Sequence, residues 1–325
     1  MHEGQRTILV TGGAGFIGSH VCDALMAVGH AVRCLDNLST GNPRNIDHLG
    51  GVKGFTFIKG DICSIEDVAA ALKGSDVVVH LAALGSVPRS IAHPLDSEAA
   101  NLGGFLNVIE AMRNAGLKRI VYASSSSVYG DSPELPKIEG REGEALSPYA
   151  VTKRLDETCA SLYHRLFGLE TIGLRFFNIF GERQDPEGAY AAAIPKFIRA
   201  LLRHEAPVVY GDGLQTRDFT YVGNAVQAVI QALSAPGNCS GQVFNIAYGD
   251  SWDLLSLLGK LRDRLQLIDP AVGKVGVEHA PTRAGDVRAS LADITKARRE
   301  LDYSPRYSLD EGLDRAVPWY AEHWR

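Results

Sequence analysis

Between the short apolar run "TILV" at 7–10 and a stretch with apolar residues at helical spacing lies "TGGAGFIGSH" at 11–20, which carries Gly12, Gly15 and Gly18. Glycine weakens strands and helices, so three of them beside the first predicted strand need a reason. A strand, a glycine turn and a helix in this order constrain the fold more than anything else in the chain. The turn exposes backbone N–H groups at the start of the helix, where a pyrophosphate can be held. The bland alternative is a tight strand-to-helix turn with no ligand.

The pattern that begins there continues. "AVRCLD", "FTFIKGD", "DVVVHLAA" and "RIVYASSS" read as short strands, and "SIEDVAAALKG" and "DSEAANLGGFLNVIEAMRNAG" read as helices between the later ones. Strands alternating with helices predict an α/β fold, a Rossmann-type doubly wound parallel sheet that binds ligands at the carboxyl ends of its strands. The second half is less regular. "AAIPKFIRALLRH", "VGNAVQAVIQALSA", "DLLSLLGKLRDRL" and "SLDEGLDRAVPWYAEHW" read as helices and "QVFNIAYG" as a late strand. With 325 residues, about two domains are expected. We place a cofactor domain at 1–175 and a smaller, interleaved α/β substrate domain at 176–325, with segment 243–249 a candidate to return to the first sheet.

Composition narrows the function classes. The chain is 45% hydrophobic and 22% charged, with a net charge of −5, which argues against nucleic-acid or membrane surfaces as partners. Its five cysteines are scattered and form no C-x-x-C, as expected of reduced thiols in a cytoplasmic protein. The ten histidines show no ligand spacing, so no metal is expected. The start reads as no signal peptide, and no apolar window approaches the ~18 residues of a membrane span.

"CLDN" ends the second predicted strand with Asp36. A carboxylate there accepts from a ribose 2′-OH and repels a 2′-phosphate, which favours NAD over NADP. Asp61 with Ile62, and Leu81, Ala82 and Ala83, occupy the next strand ends. With Phe16, Ile17 and Asn37 they complete the expected cofactor set.

"SPYAVTK" puts Tyr149 and Lys153 four residues apart, on one face if the segment is helical. A free tyrosine titrates near 10, and a nearby ammonium favours the phenolate. Tyr149 is thus the expected base for a hydroxyl proton, with Lys153 making this feasible. In "YASSSSVYGD" the hydroxyls of Ser125 or Ser126 are candidates to share that proton.

The glycine spacing resembles that of the extended short-chain dehydrogenase/reductase superfamily. Across the whole chain, "TGGAGFIGSH", "SSSSVYGD", "SPYAVTK", "LRFFNIFG", "GDGLQTRDF" and "RAGDVRASLADITKA" follow the order of nucleotide-sugar 4-epimerases. "AALGSVPRS" and "RQDPEGAYAAAIPKF" resemble the UDP-N-acetylglucosamine 4-epimerases of bacterial polysaccharide pathways. The resemblance implies reversible 4-epimerisation of UDP-GlcNAc and UDP-GalNAc, and of UDP-glucose and UDP-galactose as further substrates, through a 4-keto sugar on tightly held NAD. It implies that Asn178 contacts the substrate near its diphosphate, that Arg217 and Arg283 clamp the phosphates, and that Ser86 and Arg89 face the sugar. Galactose-type members often carry tyrosine where this chain has Ser290, so a small residue there implies room for a 2-acetamido group. Related dehydratases place Asp-Glu just before "VYG", and uronate decarboxylases a glutamate. Here Ser126 and Ser127 stand in those positions, which disfavours elimination. A uronate 4-epimerase stays open, as does a non-catalytic NAD-binding protein. Family members commonly dimerise, and "NLGGFLNVIEAM" and "DETCASLYHRL" are the candidate contact helices for a homodimer.

Overall fold

Seven short runs form one parallel sheet: β1 (Thr7–Thr11), β2 (Ala31–Asp36), β3 (Phe55–Lys59), β4 (Val77–His80), β5 (Arg119–Ser125), β6 (Glu170–Phe176) and β7 (Gln242–Ile246). Their spatial order is β7-β6-β5-β4-β1-β2-β3. This is the doubly wound arrangement expected, with its switch point between β1 and β4. The computed structural model describes residues 4–186, 192–282 and 287–324.

The middles of the central strands are runs of apolar residues because both faces are covered. Ile8 and Val10 of β1 and Val77 and Val79 of β4 face one core, with Val21 and Leu25 of α1 (Phe16–Ala27). Leu9 and Val78 face the other, with Val68 of α2 (Ile65–Leu72) and Phe105, Val108 and Met112 of α3 (Gly104–Ala115). The two-residue period of a strand sorts neighbours onto opposite faces.

The segment before α3 is not one helix. A short helix, Pro94–Glu98, runs into a wide turn of π type at Ala99–Gly103 before α3 begins. After β5 comes α4 (Pro148–Phe167), which starts on a local signal. Ser147 accepts from the Ala150 N–H at 3.1 Å and Pro148 occupies the first turn, while Gly168 closes the helix at φ 67°.

The later half of the chain builds a second core around α5 (Ala193–Leu202), α7 (Leu254–Leu265) and α8 (Leu309–His323), including Phe197, Ile198, Leu257, Leu261, Leu313 and Tyr320. Between α5 and α7, however, α6 (Val222–Leu233) packs Ala225, Ala228 and Val229 into the first core, and β7 pairs with β6. A division at residue 176 therefore stands as a proposal about chain position, with α6, β7 and the segment 292–303 all packing into the core of the first sheet.

Candidate active site

Most of the candidate residues gather at the carboxyl ends of the strands. Beyond β1, Gly12 has φ 70°, and a Cβ there would sit 2.6 Å from the Ala82 backbone nitrogen. A Cβ on Gly18 would overlap the Gly12 carbonyl oxygen. Both glycines thus have packing reasons. Gly15 does not share them: its Cβ would meet only the Gly12 oxygen, at 3.1 Å. It is the N-cap of α1, which has no side-chain cap and no acidic residue in its first turn. An unblocked helix start faced by a residue without a side chain fits a dinucleotide pyrophosphate. Phe16 and Ile17 open that helix.

Asp36 ends β2 beside this turn. Its carboxylate accepts from the Ala14 N–H at 3.0 Å and the Leu38 N–H at 2.8 Å. Burial raises its pKa, and these two donors oppose the rise. Asn37 donates to Asp61 at 2.9 Å, and Asp61 also accepts from the Cys63 N–H, the main cause of its lowered pKa. Ile62 is buried against α3. Leu81 continues from β4 through its N–H to the Thr11 carbonyl, and Ala82 donates to the Thr11 hydroxyl. Ala83 follows, half-buried.

A second group lies where α4 meets β5. Lys153 is 2% exposed and donates to the Ala123 carbonyl and to Asp156, both at 3.1 Å. Burial works against this ammonium, but the charges of Asp156 and Tyr149 outweigh it and its pKa rises. Asp156 is fully buried, and burial pushes its carboxyl up to about 6. His80 at the end of β4 is also buried and bonds to Thr11 at 2.8 Å. Desolvation, with the charge of Lys153, holds it down at about 3, so the ring stays neutral. Glu157 faces the other way, taking two hydrogen bonds from Arg175, at 2.8 and 2.7 Å, and one from Ser124.

Tyr149, Ser125, Ser126, Asn178, Arg217 and Ser290 all line one cleft of about 720 Å³ between the two cores. The Ser125 hydroxyl accepts from the Ser127 N–H at 3.2 Å. Asn178 has φ 39° and ties the cleft to the later half by donating to the Asp218 carbonyl at 3.1 Å. Arg217 donates to the Thr216 carbonyl, and the Ser290 N–H donates to the same oxygen. Not every expected residue converges here. Ser86 spends its hydroxyl capping the helix Val87–Ala92, on the Arg89 N–H, and neither residue lines the cleft, though Val87 and Pro88 do. Arg283 lies outside the described residues.

The family model for the NAD dependent epimerase/dehydratase family matches residues 8–247. The chain belongs to that family. It is 36% identical to a UDP-glucose 4-epimerase of Mycolicibacterium smegmatis, over 96% of this chain and 97% of the relative. Among solved structures, it resembles the UDP-N-acetylglucosamine 4-epimerase from Methanobrevibacter ruminantium M1 in complex with UDP-N-acetylmuramic acid, with a TM-score of 0.91, 37% identity and coverage of 98% and 99% of the two chains. It also resembles the UDP-glucuronic acid 4-epimerase from Bacillus cereus in complex with UDP-glucuronic acid and NAD, with a TM-score of 0.87, 32% identity and coverage of 97% and 99%.

This epimerase-family chain is an enzyme, and NAD is its cofactor. Two side chains at or beside the cleft escape sequence reading. Asn101, in the π turn, accepts from the Leu84 N–H at 2.7 Å and donates to Thr152 of α4 at 3.2 Å, pinning the loop after β4 to the helix that carries Tyr149 and Lys153. Such turns recur at functional sites, but nothing in "AANLGG" marks one. Lys137 also lines the cleft, is 7% exposed, and bonds through its ammonium to the Ser132 carbonyl. It sits in a loop with no periodic pattern to flag it. Among the described residues no group of three or more His, Cys, Asp or Glu is placed to hold a metal, and no helix is long and apolar enough to cross a membrane.

Proposed function

We propose that this UDP-sugar 4-epimerase interconverts UDP-N-acetylglucosamine and UDP-N-acetylgalactosamine, with UDP-glucose and UDP-galactose as further substrates. The observation that carries the reading is the small wall of the cleft: Ser290, buried and 6% exposed, lines the same space as Ser125, Ser126, Ser127 and Tyr149. Four serines of small volume leave room for a 2-acetamido group and offer it hydrogen bonds.

In this reading Tyr149 removes the proton from the sugar O4, and Ser125 or Ser126 holds that oxygen. NAD, when bound, supplies the reversible oxidation at C4. Lys153 keeps a positive charge behind Tyr149, which favours the phenolate. Arg217 and Asn178 hold the diphosphate while the 4-keto sugar turns over, and Arg283 is proposed to share that task. Gly12, Gly15 and Gly18 shape the pyrophosphate turn, and Asp36 and Asp61 bracket the adenosine end. No net oxidation occurs, so the cofactor is expected to stay bound through turnover.

The test follows UDP-GlcNAc by proton NMR with purified protein and no added NAD. Appearance of UDP-GalNAc supports both the reaction and the retained cofactor. Ser290→Tyr should spare the non-acetylated sugars and suppress the acetylated ones; equal loss of both would overturn the assignment of Ser290.

Lys137 favours a second reading, a UDP-N-acetyl-hexosaminuronate or UDP-glucuronate 4-epimerase. Its buried ammonium lines the cleft and has no carboxylate in salt-bridge range among the described residues. A uronate carboxylate would supply one. A kcat/KM on a UDP-hexuronate that exceeds the value on UDP-GlcNAc, and falls to it in Lys137→Met, would select this reading.

We also propose a homodimer through α4. The α3 stripe Phe105, Val108, Ile109 and Met112 is consumed by the core. On α4, however, Val151, Leu155, Leu162 and Leu166 are exposed along one side. Sedimentation should give a dimer that Leu155→Arg dissociates.

A further inference from the structure

α4 carries two adjacent carboxylates behind the cleft, and they do different work. Glu157 is occupied by Arg175 and Ser124. Asp156 has no share in that network. It is completely buried, its Oδ2 lies 3.1 Å from the Lys153 ammonium, and its Oδ1 has no hydrogen-bond partner among the described residues. Burying a carboxylate costs several kcal/mol unless a charge offsets it, so packing alone would be better served by an apolar side chain. Its one described polar partner is the lysine that faces Tyr149.

We propose that Asp156 is a positioning residue of the Tyr149–Lys153 pair: it holds the Lys153 ammonium against the Ala123 carbonyl and offsets part of its charge, and so sets the pH at which Tyr149 is ready to take a proton. The surroundings support a local pair. On α4 the titratable neighbours are Tyr149, Lys153, Glu157 and Cys159. From β4 comes His80, which stays neutral. From β5 comes Tyr122, whose phenol burial holds in the neutral form. From β6 comes Arg175, whose charge is taken up by Glu157 and Glu142. Asp156 is thus the carboxylate in direct contact with Lys153.

The proposal rests on Tyr149 acting as the base, and its test separates the two. The enzyme as isolated is titrated twice: by kcat/KM on whichever UDP-sugar turns over, and by near-ultraviolet tyrosinate absorbance, with Tyr149→Phe as the blank. With Asp156→Asn the lysine charge is unopposed. The acid limb and the Tyr149 absorbance should both move to lower pH by about one unit, roughly a tenfold gain on the limb. Asp156→Glu, which restores the charge, should return the profile towards wild type. In a Lys153→Met background the effect of Asp156→Asn should vanish. An unmoved absorbance titration, or a shift that persists without Lys153, overturns the proposal. Where Asp156→Asn does not accumulate, Asp156→Ala makes the same comparison. If no UDP-sugar turns over, the reading of the reaction fails while the absorbance still decides the role of Asp156.

Discussion

The glycine turn and the catalytic pocket solve opposite problems with the same strand edge. At the turn, function comes from what is missing: no side chain on Gly15, no cap on α1, no carboxylate in its first turn. Behind the cleft the structure is instead packed with charge: a lysine, two carboxylates, an arginine and a histidine, all at least half-buried and hydrogen-bonded within their own small groups. The first region tolerates little substitution because bulk would fill it. The second tolerates little because each buried charge is another's partner. The difference teaches where to look for each kind of site, in absences of side chains or in surpluses of charge.

The sharpest break comes at the pocket. Tyr149→Phe should lower turnover by about 10³-fold or more while leaving thermal unfolding unchanged, since the ring is kept and only a proton acceptor is lost. Retained turnover would undo the assignment of the base. The next break concerns acid stability. His80 stays neutral because burial holds its pKa at about 3, against 6.5 for a histidine free in water. A depressed value means that its contribution is present above pH 6.5 and lost as the pH falls through that value towards 3. The loss is on the order of 5 kcal/mol at its fullest. Urea unfolding at about pH 7.5 and about pH 5 should therefore show a fall that His80→Gln reduces; an equal fall in both proteins would place the titration elsewhere.

At the turn, two neighbouring glycines should behave unlike each other. Gly12→Ala forces a side chain onto a positive φ and against the Ala82 backbone, and should cost about 2 kcal/mol of stability even without cofactor. Gly15→Ala meets no such backbone wall and should leave the cofactor-free protein close to wild type while weakening NAD retention. Calorimetry on cofactor-stripped protein separates them, and equal destabilisation would mean that Gly15 is structural after all. The smallest effect lies far from both regions. Ser308 and Glu311 form a reciprocal cap on α8, and Ser308→Ala should cost about 1 kcal/mol with unchanged kcat/KM.

Most of the first region was legible in the sequence, because strand ends and glycine turns leave local marks. β1, the glycine turn and Asp36 fall where periodicity and turn chemistry put them, and the parallel sheet follows from the alternation of elements. The helix that carries Tyr149 and Lys153 was legible through the spacing of the two residues and their place after the serine-rich end of β5. The remainder was not, for physical reasons. Asn101 works only because the helix before α3 widens into a π turn, which no spacing rule signals. Lys137 and Asp156 stand out through burial and Arg175 through partners distant in sequence, and a charged residue in a sequence carries no label for either. Ser86 carries a role that "GSVPRS" marks only locally: its hydroxyl accepts from the N–H of Arg89 as the cap of a short proline-led helix.

The return of α6 and β7 to the first sheet has a consequence for synthesis. A nascent chain that has emerged only as far as α5 holds the glycine turn and the proposed base and its lysine, yet one face of the first sheet lacks α6 and one edge lacks β7. An uncovered apolar face and an open strand edge are adhesive. The cofactor lobe therefore closes late, only after α6 and β7 have followed α5 off the ribosome, and in that interval its uncovered face and edge need protection from their neighbours.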